Sequence, residues 1–132
     1  MALAEHIAQW SKDPSSKVGA VIVNFGRTIA GIGYNGFPRG VSDDAERYLD
    51  KKTKYAMVVH AEVNAILSRR YGNHQKLYST RFPCSGCAKL IIQSGILEVI
   101  TKPDIPVHWT EDAKVSRLMM DEAGIYLRFI DD

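Results

Sequence analysis

The sequence predicts an α/β domain of three layers, α/β/α, with a central mixed five-stranded sheet, and two observations carry that prediction. Two β-branched runs flanking a turn open the sheet, and helical and extended segments then alternate to the end of the chain, a pattern that lays helices on both faces of a mixed sheet. At 132 residues with 45% apolar content, the chain reads as a single domain over residues 1–132, long enough to bury a core.

Leu3, Ile7 and Trp10 recur at helical spacing and predict a first helix that stops before Asp13-Pro14. Val18–Val23 and Thr28–Tyr34 are extended runs, and Asn24-Phe25-Gly26-Arg27 between them is turn material, so they form a hairpin. From Asn35 to about Met57 no period is visible beyond one short helix over Ala45–Leu49, and structureless loops of that length are usually functional. A helix from His60 to about Arg70, with Val63, Ile66 and Leu67 inward, ends at Gly72-Asn73. Leu77–Phe82 is a third strand, Cys84 to about Ser94 a helix stopped by Gly95, and Leu97–Thr101 a fourth strand. After a loop over Lys102–Thr110, a helix over Glu111–Ala123 is closed by Gly124, and Ile125–Ile130 is the fifth strand. Val115, Leu118, Met119 and Met120 form the expected core stripe of that last helix.

The chemistry lies in His60-Ala61-Glu62 and Pro83-Cys84-Ser85-Gly86-Cys87. H-x-E followed by P-C-x-x-C is the pattern of zinc-dependent nucleobase deaminases. A catalytic zinc keeps one tetrahedral position for water, so the protein supplies three ligands, and His60, Cys84 and Cys87 are three. Zinc so held lowers the pKa of water towards about 7, and Glu62 is then the group that moves protons from the water to the substrate. Cys84 and Cys87 stand three apart on one helical face behind a proline suited to a first turn, where thiolates are favoured. His60 and Glu62 are two apart and cannot share a helical face, so His60 belongs at the helix entrance, before the chain is fully wound.

The chain's only two cysteines lie in this motif, so no disulfide pair is spare and a reduced, cytoplasmic setting is expected, the host's if the source is viral. A redox pair or half of a structural zinc site is the bland alternative for a lone C-x-x-C, and H-A-E upstream outweighs it. Met1 to Trp10 carries Glu5, His6 and Gln9 without a long apolar run, so neither a signal peptide nor a membrane span is expected. A net charge of +2, with 17 basic and 15 acidic residues spread along the chain, argues against long nucleic acid as a partner. A nucleotide needs few donors and stays compatible. His6, His74 and His108 lack a partner pattern and read as surface or packing residues.

These motifs resemble the cytidine deaminase superfamily, and three further stretches narrow the resemblance to the deoxycytidylate (dCMP) deaminases. They are Ser11–Ala20, Gly33–Asp44 and Cys87–Ile96, and the similarity covers most of residues 10 to 100. The resemblance implies the cytidine-deaminase-like fold, hydrolysis of dCMP to dUMP and ammonia for thymidylate synthesis, zinc, and a homohexamer. Some members carry a second, structural zinc on additional Cys and His, and with no spare cysteine here one Zn2+ per chain is expected. It also implies activation by dCTP with Mg2+ and inhibition by dTTP. Carried over by position, His60, Cys84 and Cys87 take the zinc and Glu62 the proton shuttle. The backbone of Ala61 and of the turn at Phe82 before Cys84 takes the pyrimidine edge, while Trp109 stands where an aromatic near the substrate is expected, with simple packing as its alternative. Asn35, Gly36, Arg39, Ser42, Asp43 and Asp44 fall in the regulatory nucleotide loop. Ser11, Lys12, Ser16 and Lys17 form a polar cluster expected to help bind the 5′-phosphate, or else an ordinary helix cap and turn. Deamination of a free base, a nucleoside or a tRNA adenosine, and an inactive zinc module that binds regulatory nucleotides, are the competing readings.

Overall fold

The structure is a computed structural model in which residues 1–131 are described. A helix α1 (Ala2–Ala8) leads into strands β1 (Gly19–Val23) and β2 (Ile29–Tyr34), which pair antiparallel. Two short helices, α2 (Ala45–Leu49) and α3 (Lys51–Met57), precede α4 (Ala61–Ser68). Strand β3 (Lys76–Ser79), helix α5 (Ser85–Gln93), strand β4 (Glu98–Thr101), a 3-10 turn (Val107–Trp109), helix α6 (Thr110–Glu122) and strand β5 (Tyr126–Phe129) complete the chain. The sheet order is β2-β1-β3-β4-β5; β3 runs antiparallel to β1, whereas β4 and β5 run parallel to β3, which makes the sheet mixed.

Alternation along β1 distributes the helices. Val21 packs with Ala4 and Ile7 of α1 on one face, while Ala20 and Ile22 join Ala61, Ala65, Leu77, Ile91, Val99 and Met120 on the other. One face therefore carries α1, and the main core lies under α4, α5 and α6. Gly31 and Gly33 let α4 come down onto β2: a Cβ on Gly33 would lie 2.3 Å from the Ala61 carbonyl oxygen and 2.4 Å from the Ala65 amide nitrogen. This contact anchors the first turn of α4 at the end of the sheet where the motif residues gather.

Four expectations from the sequence change. Leu67 is exposed instead of inward, because the side of α4 that lies against the glycines of β2 is taken by Ala61 and Ala65 and Leu67 falls outside the buried side. Val115 and Leu118 are also exposed; α6 buries Ala113, Ser116 and Met120, since Ser116 Oγ donates to the Pro83 carbonyl at 2.8 Å and turns that side inward. Strand β3 stops at Ser79, whose hydroxyl donates to the Arg81 carbonyl at 2.8 Å and curls the chain out of the sheet, sending Phe82 into the core. Helix α3 has no apolar stripe to announce it, because the residue it buries is Lys54. Among the described residues no helix is long and apolar enough to cross a membrane.

Candidate metal centre and catalytic cavity

Two helix entrances bring the motif residues together. His60 stands immediately before α4 in extended backbone, φ −72° and ψ 155°, so its ring and the carboxylate of Glu62 both face the cavity that a regular helix would divide between them. Cys84 precedes α5 in the same way, φ −71° and ψ 170°, with Cys87 within the first turn. Pro83 lies ahead of this helix, not in its first turn, buried beneath α6. Asp112 of α6 accepts hydrogen bonds from the Ser85 amide at 2.8 Å and the Ser85 hydroxyl at 2.6 Å, placing a carboxylate at the positive end of α5 and fixing the cysteine turn.

His60 Nδ1 lies 3.4 Å from Cys84 Sγ and 3.3 Å from Cys87 Sγ, and the three donor atoms all fall within 4.8 Å of one another. Tetrahedral zinc with bonds of about 2.0–2.3 Å needs ligand atoms roughly 3.5 Å apart, so the set fits the ion. The charges agree with the distances. Hydrogen bonding from the Cys87 thiol, opposed by burial and assisted by His60, brings Cys84 down to about 4; the same pairing, with burial added, pushes Cys87 up. Only one of the two expected thiolates therefore forms without a cation, and a dication between the sulfurs is what makes both. His60 is raised by its hydrogen bond to Cys84, and Glu62, 4% exposed, is raised by burial.

The cavity above this centre measures about 820 Å³. Its walls are the 13–18 turn, α2 with α3, and the turn carrying His108 and Trp109. The Trp109 ring stacks towards His60, centroids 6.1 Å apart at 23°. Also in the cavity wall, Asp13 and Lys54 form an ion pair at 2.7 Å, and Asp13 accepts the Ser15 and Ser16 amides at 2.9 and 3.1 Å.

Of the residues singled out for substrate, Ala61, Ser16, Phe82 and Trp109 line this cavity together with Glu62, His60 and Cys84. Ser11, Lys12 and Lys17 do not. The Ser11 hydroxyl donates to the Asn35 carbonyl at 2.9 Å, Lys12 pairs with Asp43 at 2.9 Å, and Lys17 donates to the Ser11 carbonyl at 2.6 Å while facing a separate cleft. The set assigned to a regulatory nucleotide also divides. Asn35 lines the catalytic cavity, its side chain held between the Val18 amide at 2.9 Å and the Ser16 carbonyl at 2.8 Å, and Gly36 bridges to Val59. Arg39, Ser42, Asp43 and Asp44 lie on an exposed loop, where Ser42 donates to Asp44 at 2.7 Å. Sequence reasoning missed Asp13, Lys54, Arg81, His108 and Asp112; Arg81, directly before Phe82-Pro83-Cys84, and Asp13, within Ser11–Ala20, carried a signal, that of their neighbours.

The family described as the cytidine and deoxycytidylate deaminase zinc-binding region matches residues 1–102. Mouse deoxycytidylate deaminase is 49% identical and the human enzyme 48% identical, each over 97% of this chain and 75% of its own length. The crystal structure of dCMP deaminase from cyanophage S-TIM5 in complex with dCMP and dUMP superposes with a TM-score of 0.81 at 25% identity, covering 98% of this chain and 92% of that one.

Proposed function

The chain belongs to the cytidine and deoxycytidylate deaminase zinc-binding family, and from that membership we propose that it hydrolyses dCMP to dUMP and ammonia, supplying dUMP for thymidylate synthesis. The observation that carries this reading is the convergence of His60, Cys84 and Cys87 at the floor of a nucleotide-sized cavity beside the buried Glu62. Zinc held by those three residues supplies Lewis acidity that makes water nucleophilic near neutral pH. Glu62 receives the proton that the water loses and delivers it to N3 of the cytosine as the oxygen adds to C4. It then moves the proton of the new C4 hydroxyl to the amino group, which leaves as ammonia when the C4–N bond breaks. Burial raises its pKa, which suits a carboxyl group that must both hold and release a proton. Trp109 and Phe82 shield the centre and give the pyrimidine ring apolar surfaces, while the Ala61 backbone meets its polar edge.

The reading extends to regulation and assembly. The exposed loop bearing Arg39, Ser42, Asp43 and Asp44 is assigned to dCTP with Mg2+ as activator and dTTP as inhibitor, supported by a cation for phosphate and two carboxylates for magnesium-bound water. Cytoplasmic homohexamers are expected, supported by large apolar side chains such as Leu67 and Tyr71 left in solvent. Assays of the purified protein with dCMP, cytidine and adenosine-containing RNA test the substrate: dCMP is preferred, and a preference for any compound without the 5′-phosphate overturns the assignment. Saturation curves with dCTP, dTTP and magnesium test regulation, and unchanged simple saturation in all of them removes it.

A further inference from the structure

A phosphorylated substrate brings a dianion into a cavity whose other walls are largely apolar, so the cation that meets it decides what is turned over. The lysine deepest in the wall, Lys54, is already neutralised by Asp13 at 2.7 Å. Arg81 is different. It lines both the catalytic cavity and a second cleft of about 350 Å³. No carboxylate among the described residues pairs with it. One of its donors is held by Ser16 Oγ at 3.0 Å, and the others meet no acceptor among the described residues. Its guanidinium carbon lies 5.9 Å from the centre of the Trp109 ring, whose own neighbour at 6.1 Å is the His60 imidazole. The indole thus neighbours both the metal-binding imidazole and a preorganised guanidinium that no carboxylate among the described residues offsets.

We propose that Arg81 is the residue that selects a 5′-phosphomonoester, taking the phosphate oxygens in its free fork while Ser16 and Trp109 hold it in place. This rests on the reading of the protein as a deaminase of a cytosine nucleotide. A planar fork matches phosphate geometry, and immobilising it beforehand removes the ordering cost from binding. With the base over the metal centre, the phosphorylated end of the nucleotide then meets Arg81 in the same cavity.

The test compares kcat/KM for dCMP and for deoxycytidine in the wild-type protein, Arg81→Leu and Arg81→Gln, with zinc content and melting temperature measured on each. The second variant keeps a donor for Ser16 should the first fold poorly. The dCMP-over-deoxycytidine preference is expected to fall by about tenfold to a hundredfold, mainly through KM, as loss of a charge-assisted contact implies. Arg81→Lys restores part of it. A wild-type preference for dCMP that survives in folded, zinc-loaded variants overturns the role of Arg81 and leaves the substrate reading standing. No preference in the wild type itself overturns both.

Discussion

Asp13 and Lys54 meet at 2.7 Å across the wall of the catalytic cavity, Asp13 fully buried and Lys54 8% exposed, and this pair joins the first loop to α3. Burial alone would raise the Asp13 pKa; Lys54 and the Ser15 and Ser16 amides outweigh it, and the net shift is downward. A carboxyl whose folded pKa is depressed adds stability above its unfolded pKa of about 4 and loses it as pH falls through the folded value. Unfolding free energy measured by denaturant titration from pH 7 to 3 should therefore decline below about pH 4, and Asp13→Asn should flatten that decline. Lys54→Met leaves a buried carboxylate unpaired and should cost about 3–5 kcal/mol at pH 7, readable in the same titration.

Glu62→Gln keeps the size of the side chain and removes its ability to shuttle protons. Turnover should fall by about 10²- to 10⁴-fold or more while metal analysis still finds zinc, because the ligands are untouched. A binding module would show no such difference between bound metal and lost turnover.

Cys84→Ala and Cys87→Ala each remove one of the three donors gathered within 4.8 Å. Either variant should purify with little zinc, and a chelator should lower the melting temperature of the parent protein towards theirs.

Asp112→Ala deletes both hydrogen bonds to Ser85 and the negative charge at the start of α5. The expected loss is about 1–2 kcal/mol of stability, checked by thermal unfolding, with faster zinc loss to a competing chelator.

Gly33→Ala sets a methyl group against the Ala61 carbonyl oxygen and the Ala65 amide, both backbone atoms that cannot step aside. Helix α4 must lift from β2, so the variant should lose both zinc and soluble yield, whereas an alanine at Gly26, which meets nothing within 4 Å, should behave as the parent does.

Much of the architecture was legible from side-chain spacing, because each strand and each longer helix leaves a period that depends only on neighbours in the chain. Where the inward side of a helix was misjudged, the cause lay in its partner. Leu67 looks like core by composition, but the glycines of β2 draw in the side of α4 that carries Ala61 and Ala65, and Leu67 is left in solvent. Helix α3 left no period because it buries a lysine for the sake of Asp13, a residue far away in the chain.

The candidate metal ligands were legible in the sequence alone: His60, Cys84 and Cys87 are the donor set that zinc accepts, and Glu62 stands two positions from His60. The tertiary structure decided which charges are spent and which remain available. Lys12 and Lys17 turned away to Asp43 and to the Ser11 carbonyl, Lys54 was neutralised by Asp13, and Arg81 was left facing the cavity. Coulomb and hydrogen-bond energies fall off within a few ångströms, so the use of a charge depends on what the fold sets beside it, and a linear sequence does not contain that distance.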